Sequence, residues 1–223
     1  YLASHGFVVA ACPSQGPRTP TMPREAAGLE AQVADLALVQ DVMAGDPRVD
    51  AARIGEIGFS WGGIAVLVHA LRDPAVDAVV CLDGSFVFDP PGRQEMMAAT
   101  PGYAPANLEA PLLLMFSRPP AGRVIITDFI DAIRDVDVWR LDFPGLGHHC
   151  FASDLIAGLV FAGETWEGIE RETVTRGYAA VCRYALHFLR AELVEDAGSA
   201  AFLRREPQEH GLPAEVVRIT RRP

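Results

Sequence analysis

Residues Gly58-Phe59-Ser60-Trp61-Gly62-Gly63 join a short stretch that reads as a strand, Arg53 to Phe59, directly to a helical run, Gly62 to Leu71. No other stretch constrains the chain so tightly. Where a strand turns straight into a helix around Gly-x-Ser-x-Gly, the serine is forced into a strained conformation that lifts its hydroxyl above the sheet edge. The flanking glycines are expected because a Cβ there would collide with the neighbouring strand and helix. The following helix turns its positive end toward the site, where charge on a reacting oxygen would be stabilised. Without chemistry, the same residues would be a glycine-rich turn that only packs closely. The setting between strand and helix favours a nucleophile at Ser60.

Further strands and helices alternate around this turn. Leu2 to His5 reads as the last turn of a helix stopped by Gly6, and Gly6 to Ala11 as a buried strand. Four prolines make 13–23 a loop. From Arg24 to Ala44, Leu29, Val33, Leu36, Val39 and Met43 step by three and four along one helix face. Val76 to Leu82 and Leu112 to Phe116 are apolar enough for strands buried on both faces. A helix over 125–133, a strand over 136–143 and a long helix over 176–193 follow. This alternation predicts an α/β fold with a doubly wound, mostly parallel sheet, in one domain spanning 1–223. Inserts fall at about 84–111 and 152–173, and a polar tail from about 195 is expected to pack peripherally.

What the chain lacks narrows the chemistry. All 19 basic residues are Arg, so a Schiff-base lysine and a phosphate loop ending in Gly-Lys-Ser/Thr are impossible. The net charge of −10 argues against nucleic acid or an anionic membrane as partner. Cys12, Cys81, Cys150 and Cys182 lie too far apart for a zinc knuckle or a dense disulfide framework, and are expected to be reduced. No apolar run reaches membrane-span length, and no metal or organic cofactor is called for.

A serine hydroxyl is a weak nucleophile near neutral pH, so it needs a base, and the base needs an orienting acid. Of the six histidines, His5, His69, His187 and His210 sit on helices or in the tail and read as structural. His148 and His149 follow the 136–143 strand in the glycine-rich loop Pro144 to His149, where a parallel sheet presents side chains at its carboxyl edge. Asp83 ends the strand Val76 to Leu82 at that same edge. Asp128 and Asp131 fall on a helix, and Asp142 within a strand where an Arg is a nearer partner, which leaves Asp83 as the acid.

In these segments the chain resembles the serine α/β-hydrolases, within them the platelet-activating-factor acetylhydrolase-like branch, which lies close to dienelactone-hydrolase-like proteins. The resemblance is carried by Leu2 to Ala11, by the elbow Gly58 to Gly63, by Cys81-Leu82-Asp83-Gly84 and by Pro144 to Ala152. It implies the α/β-hydrolase fold, a Ser60–His148–Asp83 triad with His148 rather than His149 as base, and the Trp61 backbone N–H as an oxyanion donor. It also implies earlier strands and a His-Gly-rich loop supplying a second donor. Neither is found in this sequence, so the resemblance implies a chain lacking its N-terminal strands.

Phe86 and Phe88 in the first insert, with Met96, Met97 and Tyr103, could line an acyl pocket, or could simply pack over the core. The expected substrate is a small carboxylic ester, with short-acyl or lipid-like esters in view. Same-fold acyltransfer, lactone hydrolysis or peptide cleavage would use the same motifs. A catalytically impaired binding module is the reading from another class, motivated by the absent oxyanion loop.

Overall fold

A computed structural model describes residues 1–15, 22–85, 92–119, 126–158 and 170–222. Four parallel strands, β1 (Ile54–Phe59), β2 (Val76–Leu82), β3 (Leu112–Ser117) and β4 (Val138–Phe143), lie side by side in chain order. A fifth, β5 (Arg218–Arg222), runs antiparallel against β4. The helices are α1 (Ala26–Ala44), α2 (Trp61–Ala70), α3 (Arg93–Ala98), α4 (Asp128–Ala132), α5 (Ser153–Ala157), α6 (Arg171–Val194) and α7 (Ala197–Arg204).

Successive side chains of a strand point to opposite faces, so each apolar strand feeds two cores. Val79, Cys81, Leu112, Leu114 and Phe116 pack with α1, α2, α3 and α4 on one face. Ala78, Val80, Leu113 and Met115 pack with α6 and α7 on the other. The helices that follow β1, β2 and β3, namely α2, α3 and α4, all contribute to the first face, as expected when right-handed connections step the sheet one way. All of β3 is buried, which explains its uninterrupted Leu-Leu-Leu-Met-Phe.

Two expectations are corrected. Phe7 to Ala11 is not a strand. Phe7 is half-buried against the α6 side of the core, while Val8 and Val9 are exposed. The segment lies beside the outer edge of β1 across a groove of about 560 Å³, and among the described residues β1 pairs only with β2. An apolar run without a hydrogen-bonding neighbour does not become a strand. The tail after Glu195 is not peripheral. Phe202, Leu203 and Val217 are buried in the second core, and Arg218 to Arg222 complete the sheet. The helical stop at Gly6 is found as a 3₁₀ turn, Ala3–His5, closed by Gly6 at φ 95°.

Among the described residues no helix is long and apolar enough to cross a membrane, and no group of three or more His, Cys, Asp or Glu could hold a metal ion. The four cysteines are free thiols.

Candidate active site

The carboxyl ends of β1, β2 and β4 deliver three polar side chains to one rim of the sheet. Ser60 follows β1 and begins the turn into α2 with φ 55° and ψ −115°, a conformation rare for any residue with a side chain. Its N–H donates to the Leu82 carbonyl at 3.0 Å, so the turn is stitched to the end of β2. A Cβ on Gly58 would come within 2.1 Å of the Gly62 carbonyl oxygen, so only glycine fits there. The second motif glycine differs from expectation. A Cβ on Gly62 would meet nothing nearer than 3.9 Å, whereas a Cβ on Gly63 would come within 3.0 Å of the Gly84 Cα.

Asp83 is fully buried at the end of β2 and also has positive φ, 47°. Its own N–H donates to the Met115 carbonyl at 2.7 Å, and its Oδ1 accepts the Ser117 N–H at 2.7 Å. The other oxygen, Oδ2, lies 2.5 Å from His148 Nδ1. A carboxylate held by a backbone N–H on one oxygen keeps its position and fixes the orientation of the imidazole on the other. His148 opens the 3₁₀ turn His148–Phe151 beyond β4, and its Nε2 lies 2.9 Å from Ser60 Oγ. Ser60, His148 and Asp83 thus form one continuous hydrogen-bonded line. His149 instead meets the edge of the His148 ring, at 5.4 Å between centroids.

Three contributors have no signature in the sequence. Phe59, the residue between the motif glycine and Ser60, stacks on the His148 ring at 4.9 Å and limits its tilt. The Ser117 amide is a backbone contact that only strand register can reveal. Ser85 reaches Ser60 Oγ with its hydroxyl at 3.0 Å. Trp61 stands at the first position of α2, directly after Ser60, with its side chain buried. Phe86 and Phe88 lie outside the described residues. Of the other insert side chains, Met97 is buried in the first core, and Met96 and Tyr103 pack against it.

A second histidine–carboxylate pair sits inside the protein. His69 on α2 and Glu56 on β1 are both buried, with His69 Nδ1 2.8 Å from Glu56 Oε1. Burial alone pulls the His69 pKa down, but the hydrogen bond and charge of Glu56, with help from Asp73, outweigh it and raise the value above 6.5. Elsewhere, Asp142 pairs with Arg140 at 2.9 Å, as expected for a strand carboxylate outside the site.

A ferulic acid esterase from Streptomyces cinnamoneus superposes on 92% of this chain with a TM-score of 0.62 and 23% sequence identity. This chain has the α/β-hydrolase fold. Over 91 residues it is also 33% identical to a Methylorubrum extorquens protein named as a carboxymethylenebutenolidase. The matched region is 41% of this chain and 30% of that relative, and the superposition spans 60% of the esterase. No family model matches the sequence. Within this hydrolase fold, the rim at the carboxyl ends of the parallel strands, where Ser60, Asp83 and His148 meet, is the place where α/β sheets present reactive groups.

Proposed function

We propose that this hydrolase-fold chain cleaves carboxylic esters through an acyl-enzyme on Ser60. The observation that carries this reading is the line from Ser60 Oγ to His148 Nε2, 2.9 Å, and from His148 Nδ1 to Asp83 Oδ2, 2.5 Å. With Asp83 holding the proton on Nδ1, Nε2 is left to accept the Ser60 proton as the hydroxyl oxygen attacks the acyl carbon. The imidazolium then protonates the departing alcohol. A water molecule gives a proton to Nε2 and adds to the acyl carbon; the bond from that carbon to Ser60 Oγ then breaks, His148 returns the proton to Oγ and the acid leaves. The Trp61 N–H, at the positive end of α2, is the oxyanion donor in this mechanism. The reaction needs no metal or organic cofactor.

The substrate class is a small carboxylic ester. A lactone is the second reading, favoured by the 33% identity to the relative named as a carboxymethylenebutenolidase. The test is a panel of p-nitrophenyl esters, amides and lactones, run beside labelling with a fluorophosphonate probe. Turnover of esters with labelling that disappears in Ser60→Ala is the expected result. Preference for lactones would move the assignment to the second reading. A folded chain that neither turns over an ester nor takes the label would instead be a binding module.

A further inference from the structure

The mechanism above leaves one polar contact of the nucleophile unused. Ser60 Oγ has two neighbours at hydrogen-bonding distance, His148 Nε2 at 2.9 Å and Ser85 Oγ at 3.0 Å. We propose that Ser85 is a further catalytic residue, its hydroxyl donating a hydrogen bond to Ser60 Oγ whenever that oxygen carries charge. The inference rests on Ser60 being the nucleophile and His148 its base.

The direction of the bond follows from the protons present. A carboxylate at Asp83 requires the proton on His148 Nδ1, so Nε2 is an acceptor and takes the Ser60 O–H. The remaining lone pairs of Ser60 Oγ can only accept, and the Ser85 hydroxyl is the donor within reach. As the Ser60 proton passes to Nε2, charge builds on Oγ and the bond from Ser85 becomes charge-assisted. Once the C–O bond to the acyl carbon has formed, Oγ is an ester oxygen and accepts only weakly. In the second half-reaction that C–O bond breaks, charge returns to Oγ, and Ser85 donates again until His148 returns the proton. The Ser85 O–H stays intact throughout, and no co-reactant is needed.

The backbone holds this donor in place before reaction. The Ser85 N–H donates to the Ser60 carbonyl at 3.0 Å, and the Ser60 N–H donates to Leu82, the residue before Asp83, also at 3.0 Å. Gly84, between acid and donor, packs its Cα against Gly63 of the elbow. Two residues beyond the acid, Ser85 is therefore fastened to the residue it serves. A donor oriented in advance stabilises developing charge without reorganisation.

The test compares Ser85→Ala, Ser85→Cys and Ser85→Thr in the full chain, reading kcat and KM on a p-nitrophenyl ester and the rate of fluorophosphonate labelling. Hydrogen bonds to charged groups correspond to a loss of about 10- to 100-fold in kcat when removed. That loss is expected in Ala and Cys, with KM nearly unchanged, because the ground-state substrate does not use the bond. Cys keeps the volume but donates weakly, so it answers the question even if Ala disturbs folding. Thr retains the hydroxyl and should keep most of the rate. Wild-type kcat in Ala and Cys overturns the proposal, as does a Thr variant that falls as far as they do. Turnover persisting in Ser60→Ala would sink the triad reading itself, whereas an inactive Ser60→Ala beside an unimpaired Ser85→Ala sinks only the role of Ser85.

Discussion

His148–Asp83 and His69–Glu56 are built alike: in each, an imidazole Nδ1 lies against a buried carboxylate, at 2.5 Å and 2.8 Å. Their outer nitrogens differ. His148 is 37% exposed and its Nε2 faces Ser60 Oγ, whereas His69 is 3% exposed and its Nε2 faces the Asp73 carboxylate at 3.8 Å. A base in a catalytic relay must accept a proton and give it up again within one turnover, which needs a hydroxyl on one side and room for substrate. His69 has carboxylates on both sides, so protonation leaves it in a stable ion pair. A histidine–carboxylate bond is therefore not a catalytic signature. What its other nitrogen touches decides the chemistry.

The largest expected contrast is in turnover. His148→Ala should lower ester hydrolysis by about 10⁴-fold or more with little change in folding, as loss of a base acting in a unit does. His69→Ala should keep kcat within about threefold while losing about 3–5 kcal/mol of stability, because Glu56 is left buried without its partner. Steady-state kinetics and urea unfolding on both variants check this. Comparable kinetic losses in the two would erase the distinction.

The carboxylates should divide in the same way, with smaller effects. Asp83→Asn is expected to reduce turnover by about 10³- to 10⁴-fold, since an amide favours the wrong imidazole tautomer. Glu56→Gln should weaken the fold by about 1–3 kcal/mol and leave the kinetics near wild type. Chemical denaturation of each variant beside its kinetics separates the two outcomes.

At the elbow the contrast is between two glycines. Gly58→Ala forces a Cβ within 2.1 Å of the Gly62 carbonyl oxygen and should destabilise the chain by about 3 kcal/mol or more. Gly62→Ala, with its nearest neighbour at 3.9 Å, should change stability by less than about 1 kcal/mol. Thermal unfolding of the two variants measures the difference.

The smallest effect is a pH dependence. The His69 pKa is raised in the folded state, with Glu56 and Asp73 favouring its charged form and burial and Arg72 opposing it. Its stabilisation is therefore fully present below the unfolded value of 6.5 and is lost as pH rises through the folded one. The stability gap between the wild-type chain and His69→Gln should accordingly be wider at about pH 5.5 than at about pH 8.5. A gap that widens toward alkaline pH would reverse the sign assigned to the pair.

The parallel core and the three rim residues are legible in the sequence for one reason. Buried parallel strands write themselves as apolar runs, and the polar side chains of the rim follow immediately after them, as Ser60 follows Phe59 and Asp83 follows Leu82. Strand β5 is hidden because an edge strand exposed on one side can be Arg-Ile-Thr-Arg-Arg; only Ile219 hints at a sheet. The opposite error arises at Val8 and Val9, where an apolar run promises a strand that has no neighbour to pair with. The contacts of Ser85 and of the Ser117 amide depend on register and on a backbone turn at positive φ, neither of which residue types encode. Spacing can also mislead within a motif: it marks Gly58 and Gly62 equally, but steric need falls on Gly58 and Gly63.

That Ser60 and His148 act as one unit is tested most directly by the residual ester hydrolysis of Ser60→Ala, His148→Ala and the double variant. The relay predicts that the double variant is no slower than the slower single one, because removing either member disables the other. Losses that multiply in the double variant would mean that the two side chains work independently, and would contradict the mechanism.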